Sequence, residues 1–164
     1  MSLTLGVPAA LVASHEVDAF ACGEVTLDDW LKRRALANQL SGATRTFVVT
    51  DRSDRVYGYY AMAAGAISYQ VAIGTVRRNM PDPVPVMVLA RLAVDRRAQG
   101  IKLGGALLQD ALNRAIAVSR NAGVRALLVH ALHDNARAFY QHYGFQVSPL
   151  HPLTLMLGIN NSGS

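Results

Sequence analysis

The chain has 164 residues, about half of them hydrophobic. That length and composition suit one globular domain with a real core and exclude a membrane-spanning protein, because charged residues interrupt every apolar run. The formal charge is +5, from 16 Lys plus Arg against 11 Asp plus Glu, and only Lys32 and Lys102 among the basic residues are lysines. Guanidinium forks onto phosphate oxygens, so this balance suits a polyanionic partner.

The opening segment "MSLTLGVPAALVASHE" has no Lys or Arg ahead of its apolar part, and a Gly and a Pro break the run. It reads as a lead-in and first strand rather than a secretion signal. Cys22 is the single cysteine. It can form neither an internal disulfide nor a thiolate metal cluster, which fits a cytoplasmic chain and a small, partly buried residue.

"TLDDWLKRRALANQL" then predicts a helix capped by Thr26, with Leu27, Trp30, Leu31 and Ala35 on one side. "TRTFVVTD" and "VYGYYAMAAGAI" predict two strands joined by the turn "RSDR". "GTVRRNMPDPVP", with a glycine and three prolines, predicts a loop. "VMVLARLAVD" predicts a buried strand, in which Arg91 calls for an edge or a mouth. A helix follows from about Lys102 to Asn121, with an apolar stripe from Leu103 through Leu107, Ala111 and Ala115, closed by "NAG". "VRALLVHAL" is another strand, "DNARAFYQHY" a short helix, and "FQVSP" and "LTLML" the last strands. The final "NNSGS" reads as a frayed tail. This order implies an α/β fold, a mixed sheet flanked by helices, in a single domain over residues 1–160.

The stretch "RRAQGIKLGGALL" joins a strand to a helix. It fits neither the dinucleotide fingerprint nor the Walker loop. What it offers is a basic glycine turn at a helix N-terminus, where unpaired N–H groups and the helix dipole bind anions. His130 and His133 have neither ligand spacing nor a carboxylate pattern around them, so no metal is expected.

Two segments carry a family resemblance. Arg97-Ala98-Gln99-Gly100-Ile101 resembles the pyrophosphate-binding pattern of the GCN5-related N-acetyltransferases (GNAT), with Lys102 where that family usually has Gly or Ala. "ARAFYQHYGF" is similar to a second GNAT mark through Ala136, Tyr140, Gly144 and Phe145. The resemblance implies a GNAT fold that binds acetyl-CoA. It implies cofactor contacts from the strand residues Leu92, Ala93 and Val94 and from the turn residues Arg97, Gln99, Gly100, Ile101, Lys102, Leu103, Gly104 and Gly105. It implies Tyr140 as general acid, since a phenol of reference pKa about 10 holds its proton at neutral pH. His133 stands where many members have a cofactor-contacting Asn, and Asn135 is the other candidate for that contact. If Lys102 is to replace a small residue there, it has to avoid backbone angles that only glycine accepts readily.

Read from Phe20 to Leu157, the chain resembles the GNAT toxins of bacterial toxin–antitoxin modules, which acetylate the α-amine of the amino acid on charged tRNA. That resemblance implies a ribbon–helix–helix antitoxin, operator DNA bound only through the antitoxin, and a homodimer. A tRNA partner makes Lys32, Arg33, Arg34, Arg45, Arg77, Arg78 and Arg91 candidate phosphate contacts, and binding that weakens with salt follows. No acidic residue stands out as general base, which suits an α-amine of pKa about 8 better than a lysine side chain. The alternatives are a GNAT enzyme acting on a protein or small-molecule amine, and a non-catalytic module that binds RNA or protein.

Overall fold

The structure is a computed structural model that describes residues 3–159. The tail read from residues 160–164 lies outside the described residues. Seven strands follow the hydrogen-bonded order β1-β2-β3-β4-β5-β7-β6. They are β1 (Ala9–Ala10), β2 (Arg45–Thr50), β3 (Val56–Ile67), β4 (Val84–Val94), β5 (Ala126–His130), β6 (Gln146–Val147) and β7 (Thr154–Gly158). The helices are α1 (Val25–Arg33), α2 (Ala35–Ser41), α3 (Gly74–Arg77), α4 (Leu103–Ser119) and α5 (Asp134–His142). β4 and β5 pair in parallel, with Met87, Val88 and Leu89 opposite Leu127, Leu128 and Val129. A parallel pair needs a long crossover, and α4 supplies it. β1–β2, β2–β3, β5–β7 and β6–β7 are antiparallel. The sheet is mixed and flanked by helices, as the order of elements predicts.

The chain divides into two compact units. The first comprises residues 1–63 and 90–111. Its core gathers Leu11, Phe20, Leu31, Ala35, Val48 and Tyr59. Gly58 on β3 sets the start of α4 close to the sheet: a Cβ there would meet Leu107 at 3.0 Å and Leu103 at 3.1 Å. The glycine therefore permits an approach that any side chain would push back.

The second unit comprises residues 64–89 and 112–164. Its core gathers Ile67, Val76, Val84, Ala126, Leu128 and Met156. Along β5, Ala126 to Val129 are all buried while His130 is exposed. A strand with both faces covered reads as a continuous apolar run rather than as alternation.

Three local expectations are corrected. The first helix is two helices, with a kink at Arg34 (φ −122°, ψ −31°). Arg34 N still donates to Trp30 O at 2.8 Å and Asn38 N to Arg34 O at 3.0 Å, so the hydrogen-bond run continues across the kink. Leu31 and Ala35, on either side of the kink, are both buried. Thr26 lies inside α1 and does not cap it; Glu24 holds the cap position, and Asp28 reaches back to accept from Cys22 N at 2.9 Å. Finally, residues 74–85 are not all loop. Gly74–Arg77 forms a helical turn that buries Val76, and β4 begins at Val84, between Pro83 and Pro85. Proline rules out a helix interior, but neither of those two effects is visible in composition.

Candidate active site

In the first unit β4 ends at Val94 and Asp95 turns the chain into a single 3-10 turn, Arg96–Ala98. Asp95 is 1% exposed. Its carboxylate accepts from Ala21 N at 2.9 Å, Arg97 N at 2.8 Å, Arg97 Nε at 2.8 Å and Arg97 Nη2 at 3.0 Å. Burial by itself would raise the carboxyl, but these donors outweigh it and hold Asp95 below the ordinary carboxylate range. The Arg97 guanidinium also lies over the Tyr57 ring, 4.4 Å from its centroid. The Gln99 side chain donates to two carbonyls, Cys22 O and Val94 O, each at 3.0 Å.

Beyond this anchored part the backbone becomes unusual. Gly100 has φ +85° and Lys102 has φ +65°, with Ile101 between them outside the positive-φ set. Alternation of this kind turns successive N–H groups toward one side and makes an anion-binding concavity. It leads directly into α4, whose Leu103, Gly104 and Gly105 form its first turn. The first N–H to close a hydrogen bond back into the turn is that of Ala106, to Lys102 O at 3.2 Å. Lys102 thus corrects one expectation: it adopts the left-handed angles that favour glycine. The chain needs that turn to enter α4, and the exposed lysine bears a strain of about 1–2 kcal/mol. Leu92 and Val94 are half-buried and Ala93 is buried.

Arg91 lies on β4, past the stretch paired with β5, which ends at Leu89. Its guanidinium stacks over Trp30 at 4.4 Å, and Trp30 stacks on Tyr59 at 6.0 Å. Among the described residues nothing accepts a hydrogen bond from that guanidinium. Lys32, Arg33 and Arg34 are exposed at the end of α1. Arg45 is exposed and donates to Gln39 O at 3.0 Å. Cys22 is half-buried, and burial, with the Asp28 carboxylate as a lesser cause, pushes its thiol up to about 11. It is protonated at neutral pH and does not act as a nucleophile.

The second unit holds Tyr140, on α5. It is 6% exposed, with Phe139 at 5.1 Å and Phe145 at 5.5 Å between ring centroids. Burial raises its pKa well above the ordinary tyrosine value. Among the described residues its hydroxyl has no hydrogen-bond partner. His133 is not on β5 with His130; it is the N-cap of α5, and its Nδ1 accepts from Ala136 N at 3.2 Å. Asn135 is exposed in the first turn of α5. Arg77 and Arg78 are exposed, and Arg77 donates to Tyr69 O at 3.0 Å. Among the described residues no group of three His, Cys, Asp or Glu could hold a metal. No helix among them is long and apolar enough to cross a membrane.

Sequence reasoning missed Asp95, Tyr57 and Trp30 as supports. Asp95 carried a usable signal, an Asp at a strand end whose side chain takes the N–H two residues on. Tyr57 and Trp30 carried none, because their partners are 40 and 61 positions away in the chain.

Residues 43–147 match the acetyltransferase (GNAT) domain family. The chain is 53% identical over 150 residues to the tRNA-acetylating toxin of Mycobacterium tuberculosis (strain ATCC 25618 / H37Rv), covering 92% of this chain and 90% of the relative. Among solved structures it is similar to AtaT complexed with acetyl-methionyl-tRNAfMet, with a TM-score of 0.86, 24% identity and coverage of 96% and 95% of the two chains. It is also similar to an AtaT mutant toxin bound to the C-terminus of the antitoxin AtaR and acetyl-CoA, with a TM-score of 0.80, 25% identity and coverage of 96% and 93%.

Proposed function

The chain belongs to the GNAT acetyltransferase family, and on that premise we propose that it is a toxin that acetylates the α-amine of the amino acid on charged tRNA and so blocks translation. The observation that carries this reading is the 53% identity, across 92% of the chain, to a tRNA-acetylating toxin. When bound, acetyl-CoA supplies the thioester whose acetyl group is transferred.

The residues present fit that group. The turn from Arg97 to Gly105 receives the pyrophosphate through main-chain N–H groups, a role supported by the alternating φ at Gly100 and Lys102 and by the N-terminus of α4. Arg97 and Gln99 contribute their backbone, since their side chains are engaged with Asp95 and with the carbonyls of Cys22 and Val94. Leu92, Ala93 and Val94 hold the pantetheine arm through the main chain, and an N–H of this strand stabilises the oxyanion. Tyr140 Oη keeps its proton and gives it to the departing sulfur. The absence of a protein partner for the hydroxyl among the described residues supports this role. His133 is engaged in capping α5, which leaves Asn135 the freer of the two for a cofactor contact. An α-amine of pKa about 8 gives up its proton to water more readily than a lysine side chain and so needs much less help from a base.

Lys32, Arg33, Arg34, Arg45, Arg77, Arg78 and Arg91 serve as tRNA contacts, and Arg91 is the best prepared, with its guanidinium fixed on Trp30 and no acceptor among the described residues. Residues 1–160 work as one domain, a view supported by a family match that runs through both units. In the cell the protein is cytoplasmic and homodimeric. It is held by a ribbon–helix–helix antitoxin through which it reaches operator DNA.

The test is incubation with labelled acetyl-CoA and a pool of charged tRNAs. N-acetyl-aminoacyl-tRNA is expected, with a yield that falls as salt rises. Acetylation of a protein or free amine in preference to charged tRNA would overturn the substrate assignment.

A further inference from the structure

Asp95 is a buried carboxylate to which the proposed reaction gives no task. Its four bonds join two main-chain N–H groups 76 residues apart, those of Ala21 and Arg97, and both arms of one guanidinium. Arg96 N donates to Ala21 O at 2.9 Å, so the segment before α1 and the 3-10 turn are stitched from both sides. The Gln99 amide adds a second tie to the same segment through Cys22 O.

We propose that Asp95 is a positioning residue for the cofactor's phosphate turn, fixing the turn in its anion-receiving shape while it retains the Arg97 guanidinium as a strut rather than a phosphate ligand. This rests on the acetyl-CoA reading above. The charge argument runs through the pair. A lone buried carboxylate beside a phosphate site repels the phosphate, and Arg97 cancels that charge. A guanidinium forked onto a carboxylate and stacked on Tyr57 has in turn lost its net attraction for a distant anion. What the pair provides is therefore geometry. Strand end, turn and preceding segment are pinned, and φ at Gly100 and Lys102 can then aim the N–H groups.

Two variants separate geometry from charge. Asp95→Ala removes all four carboxylate bonds and leaves the ties made by Arg96 N and Gln99. In D95N/R97Q the single amide oxygen keeps one of the two main-chain ties, to Ala21 N or to the N–H at position 97, and neither charge remains. Acetyl-CoA binding is measured by calorimetry, KM and kcat by thiol release, and amide exchange of the turn by hydrogen–deuterium exchange. D95A is expected to weaken acetyl-CoA binding and to raise its KM about tenfold. Its kcat at saturation should stay within about twofold, and exchange at the amides of residues 21 and 97 should speed up. D95N/R97Q is expected to bind within about threefold of the wild type. Wild-type affinity in D95A overturns the proposal. So does a double variant as weak as D95A whose exchange at residues 21 and 97 stays at the wild-type rate, because the Arg97 charge is then itself a ligand. If D95A does not fold, the double variant decides: an affinity within about threefold of the wild type, or a loss accompanied by faster exchange at residues 21 and 97, is expected, and a roughly tenfold loss at the wild-type exchange rate overturns the proposal. If the wild type binds no acetyl-CoA, the acetyltransferase reading fails, while exchange at residues 21 and 97 still tests the pinning.

Discussion

The turn from Asp95 to Gly105 and the helix that carries Tyr140 are built on opposite plans. The turn is polar and distributed: Asp95, Gln99 and left-handed residues at 100 and 102 shape a stretch of backbone, and no single side chain is its product. The Tyr140 region is apolar and focused, with the rings of Phe139 and Phe145 packed on one phenol that has no hydrogen-bond partner among the described residues. The contrast follows from the ligand atoms. A pyrophosphate spreads charge over many oxygens and is best met by several fixed N–H dipoles. A departing thiolate needs one proton at one place, and a dry aromatic wall keeps that proton on the phenol.

The sharpest way to break this comparison is Tyr140→Phe. It should lower kcat about 100-fold or more while leaving acetyl-CoA affinity within about twofold; an equal loss in affinity would show that the phenol also binds. Gly100→Ala probes the other plan. A Cβ at Gly100 would meet nothing within 4 Å, so only the backbone angle at φ +85° is penalised. The expected cost of about 1–2 kcal/mol should weaken acetyl-CoA binding about tenfold, with kcat little changed.

The two regions should also fail at opposite ends of the pH scale. Asp95 is held below its unfolded pKa of about 3.9, so its contribution is present above that value and is lost as pH falls through the lower folded value. Tyr140 is held above its unfolded pKa of about 10, so its contribution is full below that value and fades as pH rises toward the folded one. Melting temperature against pH should lose part of its acid limb in D95N/R97Q and part of its alkaline limb in Tyr140→Phe. The smallest expected effect is Lys102→Gly. It relieves the left-handed strain at φ +65°, partly offset by glycine's greater unfolded freedom. A rise of about 2 °C in melting temperature follows, with acetyl-CoA affinity within a few-fold.

Much of this was legible from the chain alone. The third strand runs over the stretch read for it, Val56–Ile67, and the Tyr140 helix over Asp134–His142, because an apolar, aromatic-rich run bounded by turn residues and a helical period are local properties. The two short motifs were legible for the same reason, each lying within about ten consecutive residues. The kink at Arg34 was not, because the apolar spacing from Leu27 to Ala35 is that of one unbroken helix. The helical turn at Gly74–Arg77 was hidden by prolines that follow it, and is justified only by Val76 in the core of its unit.

By itself, then, the sequence determined the order of elements, the glycine turn at a helix start and the phenol on the last helix, since each is written in neighbouring residues. Tertiary structure alone decided which side chains were available. It set Arg97 on Asp95 and Tyr57, Gln99 on two carbonyls, Arg91 on Trp30 and His133 on the cap of α5. Most of these partners lie far apart in the chain, and the short-range ones depend on where the fold points each side chain. A side chain's chemistry is set by what it is already bonded to, and only the folded chain supplies that.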